Sequence, residues 1–131
     1  MTVERESVVA KIVAYTIRTP GHLFPFVPIL LELQKRGHNI QLLIPIFRGE
    51  SPPTVPGVRV RVAQWTAAGL SGGVGLRNQG GAGGPTDSAL FGRPLASILE
   101  RSIAEERPDL LIIDPMLWGG MIVAESSGLP W

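Results

Sequence analysis

Two side chains in this sequence are of types suited to proton transfer. His22 closes the turn Arg18-Thr19-Pro20-Gly21-His22, and Asp114 directly follows the apolar run Leu110–Ile113. An imidazole is a base near neutral pH. A carboxylate on one ring nitrogen fixes its tautomer and stabilises the imidazolium formed when the other nitrogen removes a proton. Such a pair is suited to deprotonating an alcohol. His22 also opens a helix-like segment, where the helix dipole disfavours positive charge and so favours the neutral ring a base requires. A plainer role fits the same two residues: His22 capping its helix, and Asp114 capping the segment after it.

Other chemistries lack their residues. There is no cysteine, so disulfides and Cys-based metal or redox motifs are excluded. A dinucleotide fingerprint needs G-x-G-x-x-G directly after the first strand. The first turn holds a single glycine, and the later Gly73-x-Gly75 has Asn78 where the third glycine belongs. Neither a G-x-x-x-x-G-K-[ST] phosphate loop nor a G-x-S-x-G nucleophile elbow occurs. With two histidines, and no D-x-D carboxylate pair, no metal and no bound cofactor are expected.

The elements that must position His22 and Asp114 follow from hydrophobic patterning. Val8–Ile17 is almost continuously apolar and β-branched, as in a strand buried on both faces. Leu23–Arg36 carries apolar residues at three- and four-residue spacing and reads as a helix, with Pro25 in its first turn and Gly37 as its C-cap. Phe24 and Phe26 are expected in its core face. Ile40–Ile44 is a short strand stopped by Pro45. Val58–Val62 alternates strictly, as in a strand near a sheet edge with one face wet. Residues 66–85 hold eight glycines, all between Gly69 and Gly84, and a flexible loop is expected there. A helix beginning near Arg93 buries Leu95, Ile98, Leu99 and Ile103; Leu110–Ile113 is a strand, and Met116–Ser127 a helix closed by Gly128.

The order β-α-β-β-α-β-α predicts an α/β, Rossmann-like doubly wound domain with a mostly parallel sheet. Right-handed crossovers give the strand order 3-2-1-4 and a switch point between strands 1 and 4, where ligands bind in such folds. His22 and Asp114 sit at the carboxyl ends of those two strands, so topology brings them together.

Composition bounds the rest. The chain of 131 residues is the size of one domain. Twelve basic residues against 11 acidic ones give a net charge of +1, which argues against a nucleic-acid groove. With 44% hydrophobic and 18% charged residues it can bury a core. The N-terminus mixes Glu4, Arg5 and Glu6, unlike a secretory signal, and Leu23–Leu33 is too short and too interrupted by Pro25, Pro28 and Glu32 to span a membrane. A cytoplasmic protein without a transmembrane segment is expected.

Three blocks of residues carry a resemblance. Thr19-Pro20-Gly21-His22-Leu23-Phe24-Pro25, then Leu33-Gln34-Lys35-Arg36-Gly37-His38-Asn39-Ile40, then Arg107-Pro108-Asp109 through Asp114-Pro115 to Ala124–Pro130, resemble the first domain of family 1 glycosyltransferases of the GT-B fold. This family includes bacterial natural-product enzymes. Its pattern is strand, G-H-x-x-P, helix, R-G-H-x-V, strand, and Ile40 stands here for the usual valine. The resemblance implies inverting transfer of a sugar from a UDP- or dTDP-sugar to a hydroxyl of a small-molecule acceptor. His22 matches the family's catalytic base and Asp114 the carboxylate that orients it. Gly21 is expected at the co-substrate, and His38 in a structural role at the helix exit. Trp65, Phe91, Met116 and Trp118 offer apolar surface to an acceptor, or else pack in the core.

The resemblance runs from about Lys11 to Trp131 and lacks the second, donor-binding domain with its His/Glu/Gln donor motif. The chain is therefore expected to be the acceptor-binding half of a longer or split enzyme, inactive alone, with the donor-binding domain in cis or as a partner chain. An exposed sheet edge leads to the expectation of a homodimer. The alternative is a non-catalytic binding or scaffold half that assists a partner subunit.

Overall fold

The computed structural model describes residues 8–47, 49–65 and 93–131. The glycine-rich segment 66–85 and Phe91 lie outside them, as do the side chains of Phe47 and Trp65. The elements are β1 (Lys11–Tyr15), α1 (Pro20–Lys35), β2 (Asn39–Phe47), β3 (Arg59–Trp65), α2 (Arg93–Glu106), β4 (Leu110–Ile113) and α3 (Trp118–Ser127). The four strands form one sheet in the order β3-β2-β1-β4, with every pairing parallel. This is the order expected from right-handed crossovers.

Side-chain alternation divides the core into two layers. Ile12 and Ala14 of β1, with Ile40, Leu42, Ile44 and Ile46 of β2, pack against Leu23 and Leu30 of α1. Val13 and Tyr15 of β1, with Leu43 and Leu111, pack on the other face against Leu95 and Leu99 of α2 and Val123 and Ala124 of α3. Leu95 and Leu99 are fully buried, and burial of such a side chain contributes about 1.5–3 kcal/mol. The Tyr15 hydroxyl donates to the Leu95 carbonyl at 2.9 Å, and burial raises its pKa well above the usual phenol range. Gly120 of α3 lies against the same ring: a Cβ there would stand 3.0 Å from Tyr15 Cδ1.

Polar contacts fix where β1 begins. His38, at the exit of α1, accepts the Ala10 amide on Nδ1 at 3.1 Å. Asp109 accepts the Lys11 amide at 2.8 Å, and its own amide donates to the Lys11 carbonyl at 2.7 Å. The R-G-H and R-P-D blocks are thus architectural, and the structural role expected for His38 is the one observed. Past α3, Gly128 turns the chain at φ 73°, and the Pro130 carbonyl accepts the Leu111 amide at 2.9 Å, so the segment returns beside β4.

Three expectations need correction. The first helix begins at Pro20, so Pro20 occupies the first-turn position expected of Pro25, and both Pro25 and Pro28 lie inside the helix. Strand β2 does not stop at Pro45 but runs on to Phe47, with Pro45 opposite Ala63. The Asn39 amide and the Leu43 carbonyl both bond toward β1. Since backbone groups alternate sides along a strand, Pro45 also faces that side, where β1 has already ended, and no ladder hydrogen bond is lost. Phe24 is 66% exposed rather than in the core, because only one face of the all-round apolar α1 is covered by the sheet; Phe26 does pack against that core. Among the described residues, no helix is long and apolar enough to cross a membrane.

Candidate active site

The turn from β1 into α1 places His22. Pro20 has its ring in the first turn, where its missing N–H is not needed. The Thr19 carbonyl accepts the amides of His22 and Leu23, both at 2.9 Å. With its backbone held so, the His22 ring projects from the first turn toward the end of β4. Arg18, in the same turn, pairs with Glu50 at 3.7 Å across the end of β2.

Asp114 is placed by β1 and by its own turn. Its amide donates to the Tyr15 carbonyl at 2.9 Å, and its carbonyl accepts the Leu117 amide at 2.9 Å. Its side chain is 1% exposed. A carboxylate so buried must be well supplied with donors. His22 Nδ1 lies 2.9 Å from Oδ2 and 3.2 Å from Oδ1. The Thr16 hydroxyl donates to Oδ2 at 2.7 Å, and the Met116 amide to Oδ1 at 2.8 Å.

This arrangement assigns the tautomer. An amide N–H can only donate, and an ionised carboxylate has no proton to give. Both oxygens of Asp114 therefore accept, and Nδ1 of His22 carries a proton. Nε2 then has its lone pair available, and it makes no hydrogen bond to any described residue. The side chain is about one-third exposed (32%).

The two readings left open for these residues resolve unequally. His22 does not cap its helix with its ring, which bonds Asp114 instead. Asp114 does hold the turn before α3 through Met116, and it meets His22 as well.

Met116 and Trp118 follow Asp114 by two and four residues, and they are 38% and 58% exposed. They are not core residues. Gly21 sits in the first turn of α1, where an added Cβ would meet nothing within 4 Å. Trp65 ends β3 at the carboxyl edge of the sheet, and Phe91 lies outside the described residues. Thr16, fully buried, is a site residue that the sequence reading does not single out. Among the described residues, no three His, Cys, Asp or Glu side chains are grouped to hold a metal ion.

A cavity of about 580 Å³ opens elsewhere, between β3 and α2, lined by Arg61, Arg93, Arg101 and Ser102 among others. It includes neither His22 nor Asp114. Arg61 there is paired with Glu105 and Glu106, and the Ser102 hydroxyl is sealed from solvent.

No family model and no curated protein matches this chain. Solved structures do. The glycosyltransferase SsfS6 of Streptomyces sp. SF2575 superposes with a TM-score of 0.59 at 19% identity, over 93% of this chain and 38% of its own. The calicheamicin glycosyltransferase CalG4 gives 0.53 at 16%, over 93% and 31%. The glycosyltransferase of kitacinnamycin gives 0.57 at 16%, over 93% and 29%. The chain thus spans 29–38% of the length of these structures. It has the Rossmann-like fold of the corresponding part of these glycosyltransferases, in agreement with the resemblance in its sequence.

Proposed function

We propose that this chain is the acceptor-binding part of an inverting glycosyltransferase, with His22 as the base that activates the acceptor hydroxyl. The observation that carries this reading is the dyad: His22 Nδ1 held at 2.9 Å by a buried carboxylate, on a partly exposed side chain at the carboxyl edge of a doubly wound sheet. Nε2 takes the hydroxyl proton while the oxygen attacks the anomeric carbon of a nucleoside-diphosphate sugar. The new C–O bond forms as the bond to the diphosphate breaks, and attack from the opposite face inverts the configuration. Asp114 stabilises the imidazolium formed in that step. Met116 and Trp118 give apolar surface to the acceptor body.

The donor comes from outside this chain, from a further domain in cis or from a partner chain. SsfS6 has been solved in complex with thymidine diphosphate, which supports a nucleoside-diphosphate sugar as the donor class. Catalysis requires both substrates held together, so the chain by itself is inactive in this reading.

Ligand-observed NMR on the purified chain tests the division of labour. Polyphenol and macrolide acceptors are expected to show binding, while UDP- and dTDP-sugars stay silent. Clear nucleotide-sugar binding with no acceptor binding would overturn the assignment. Acceptor binding that persists in an assembly whose sugar transfer is unaffected by His22→Ala would point to the non-catalytic binding half instead.

A further inference from the structure

We propose that Thr16 is a positioning residue of the dyad, its hydroxyl keeping the Asp114 carboxylate aimed at His22. This rests on the reading of His22 as the base.

The two fixed donors to Asp114 grip different oxygens: the Thr16 hydroxyl holds Oδ2 at 2.7 Å and the Met116 amide holds Oδ1 at 2.8 Å. The terminal torsion of an aspartate is soft. A carboxylate held at one oxygen can swing about its Cβ–Cγ bond, whereas one held at both cannot. Met116 alone would leave the orientation open, and Thr16 closes it. The oxygen that Thr16 holds is also the one nearer His22 Nδ1, at 2.9 Å.

Thr16 is itself well anchored. It directly follows β1, and its amide donates to the Leu43 carbonyl of β2 at 3.3 Å. Its side chain reaches the end of β4. The hydroxyl thus stands where three strands are tied together, on a β-branched side chain with restricted χ1 freedom. Packing alone does not call for a hydroxyl here: valine has nearly the same shape and carries no desolvation cost at a fully buried position. The polar group is explained by the carboxylate it serves.

The test uses the isotope-labelled chain and the NMR signal of the His22 ring proton on Nδ1. A proton shared with a buried carboxylate is shifted downfield and protected from exchange. The wild type and Thr16→Ser are expected to show it. Thr16→Val is expected to lose it or move it upfield while its amide spectrum stays dispersed. In an assembly competent for transfer, the same change is expected to lower kcat by about 10–100-fold, with the acceptor KM within about twofold, and Thr16→Ser is expected to recover most of the loss. Should Thr16→Val fail to fold, Thr16→Ala is read the same way. An unchanged ring-proton signal in the Val or Ala variant, or failure of Thr16→Ser to keep it, would overturn the role of Thr16. A wild-type chain with no such signal, and no response to Asp114→Asn, would overturn the dyad itself and the proposed function with it.

Discussion

His22 Nδ1 lies 2.9 Å from Asp114 Oδ2 although 92 residues separate them in the chain. The contact exists because β1 and β4 are neighbours in register, Tyr15 opposite Ile113, and both strands end at the same edge. The two crossovers place α1 on one face and α2 with α3 on the other, so the edge between β1 and β4 is open to a ligand. His22→Ala is expected to reduce sugar transfer by about 10²–10⁴-fold, the scale of a lost general base. Asp114 keeps its bonds from Thr16 and Met116, so the stability loss is expected to stay under about 2 kcal/mol. Transfer assays in an assembly that supplies the donor-binding part, paired with denaturant melts of the chain, check both parts.

Gly120→Ala is expected to destabilise the fold by about 1–3 kcal/mol, the range for overpacking a core. The added methyl would sit 3.0 Å from Cδ1 and 3.1 Å from Cε1 of Tyr15. That ring is buried and tethered through its hydroxyl to Leu95, so it cannot give way easily. Urea unfolding of the variant gives the number, and an unchanged midpoint would contradict this packing.

Arg107→Gly is expected to stabilise the chain. Arg107 is exposed, ends α2 at φ 46°, and still donates its amide to the Ile103 carbonyl at 2.9 Å. A left-handed conformation costs a side-chain-bearing residue roughly 1–2 kcal/mol. Glycine adopts it freely but loses more entropy on folding, leaving a net gain of about 0.5–1 kcal/mol. Calorimetry should show a higher Tm; a fall would mean that the arginine side chain contributes more than its backbone costs.

Acid is expected to weaken the junction of α2 with the sheet. The hydrogen bond from Lys11, at 2.9 Å, lowers the Glu106 carboxyl below its ordinary range against a smaller opposing effect of burial, and Gln41 and Arg59 add to the lowering. A carboxyl lowered in the folded state contributes its full stability above the unfolded value, about 4.3, and loses it as the pH falls through the folded value. Denaturation midpoints across this acidic window should therefore drop less steeply in Glu106→Gln than in the wild type. Equal slopes would contradict the assignment.

The dyad was legible in the sequence because topology is strongly constrained: alternating elements and right-handed crossovers leave one way to place His22 and Asp114. Strand β4 and the start of α2 were legible from apolar runs bounded by Pro108, Asp114 and Arg93. The continuation of β2 through Pro45 was not, since it depends on β1 ending first, a relation between strands that a local pattern does not contain. The exposure of Phe24 was hidden by a helix apolar on all sides, where periodicity cannot say which face is covered. Thr16 was hidden for a different reason. A hydroxyl after a strand is common, and only the carboxylate arriving from β4 gives it a partner.

The most direct measurement of the central claim is the protonation pattern of the His22 ring nitrogens at neutral pH, by nitrogen NMR, with and without a bound acceptor. The account expects a proton on Nδ1, a bare Nε2, and an Nε2 signal that moves when an acceptor hydroxyl binds. A proton resident on Nε2, or an Nε2 signal indifferent to every acceptor that binds, would contradict it.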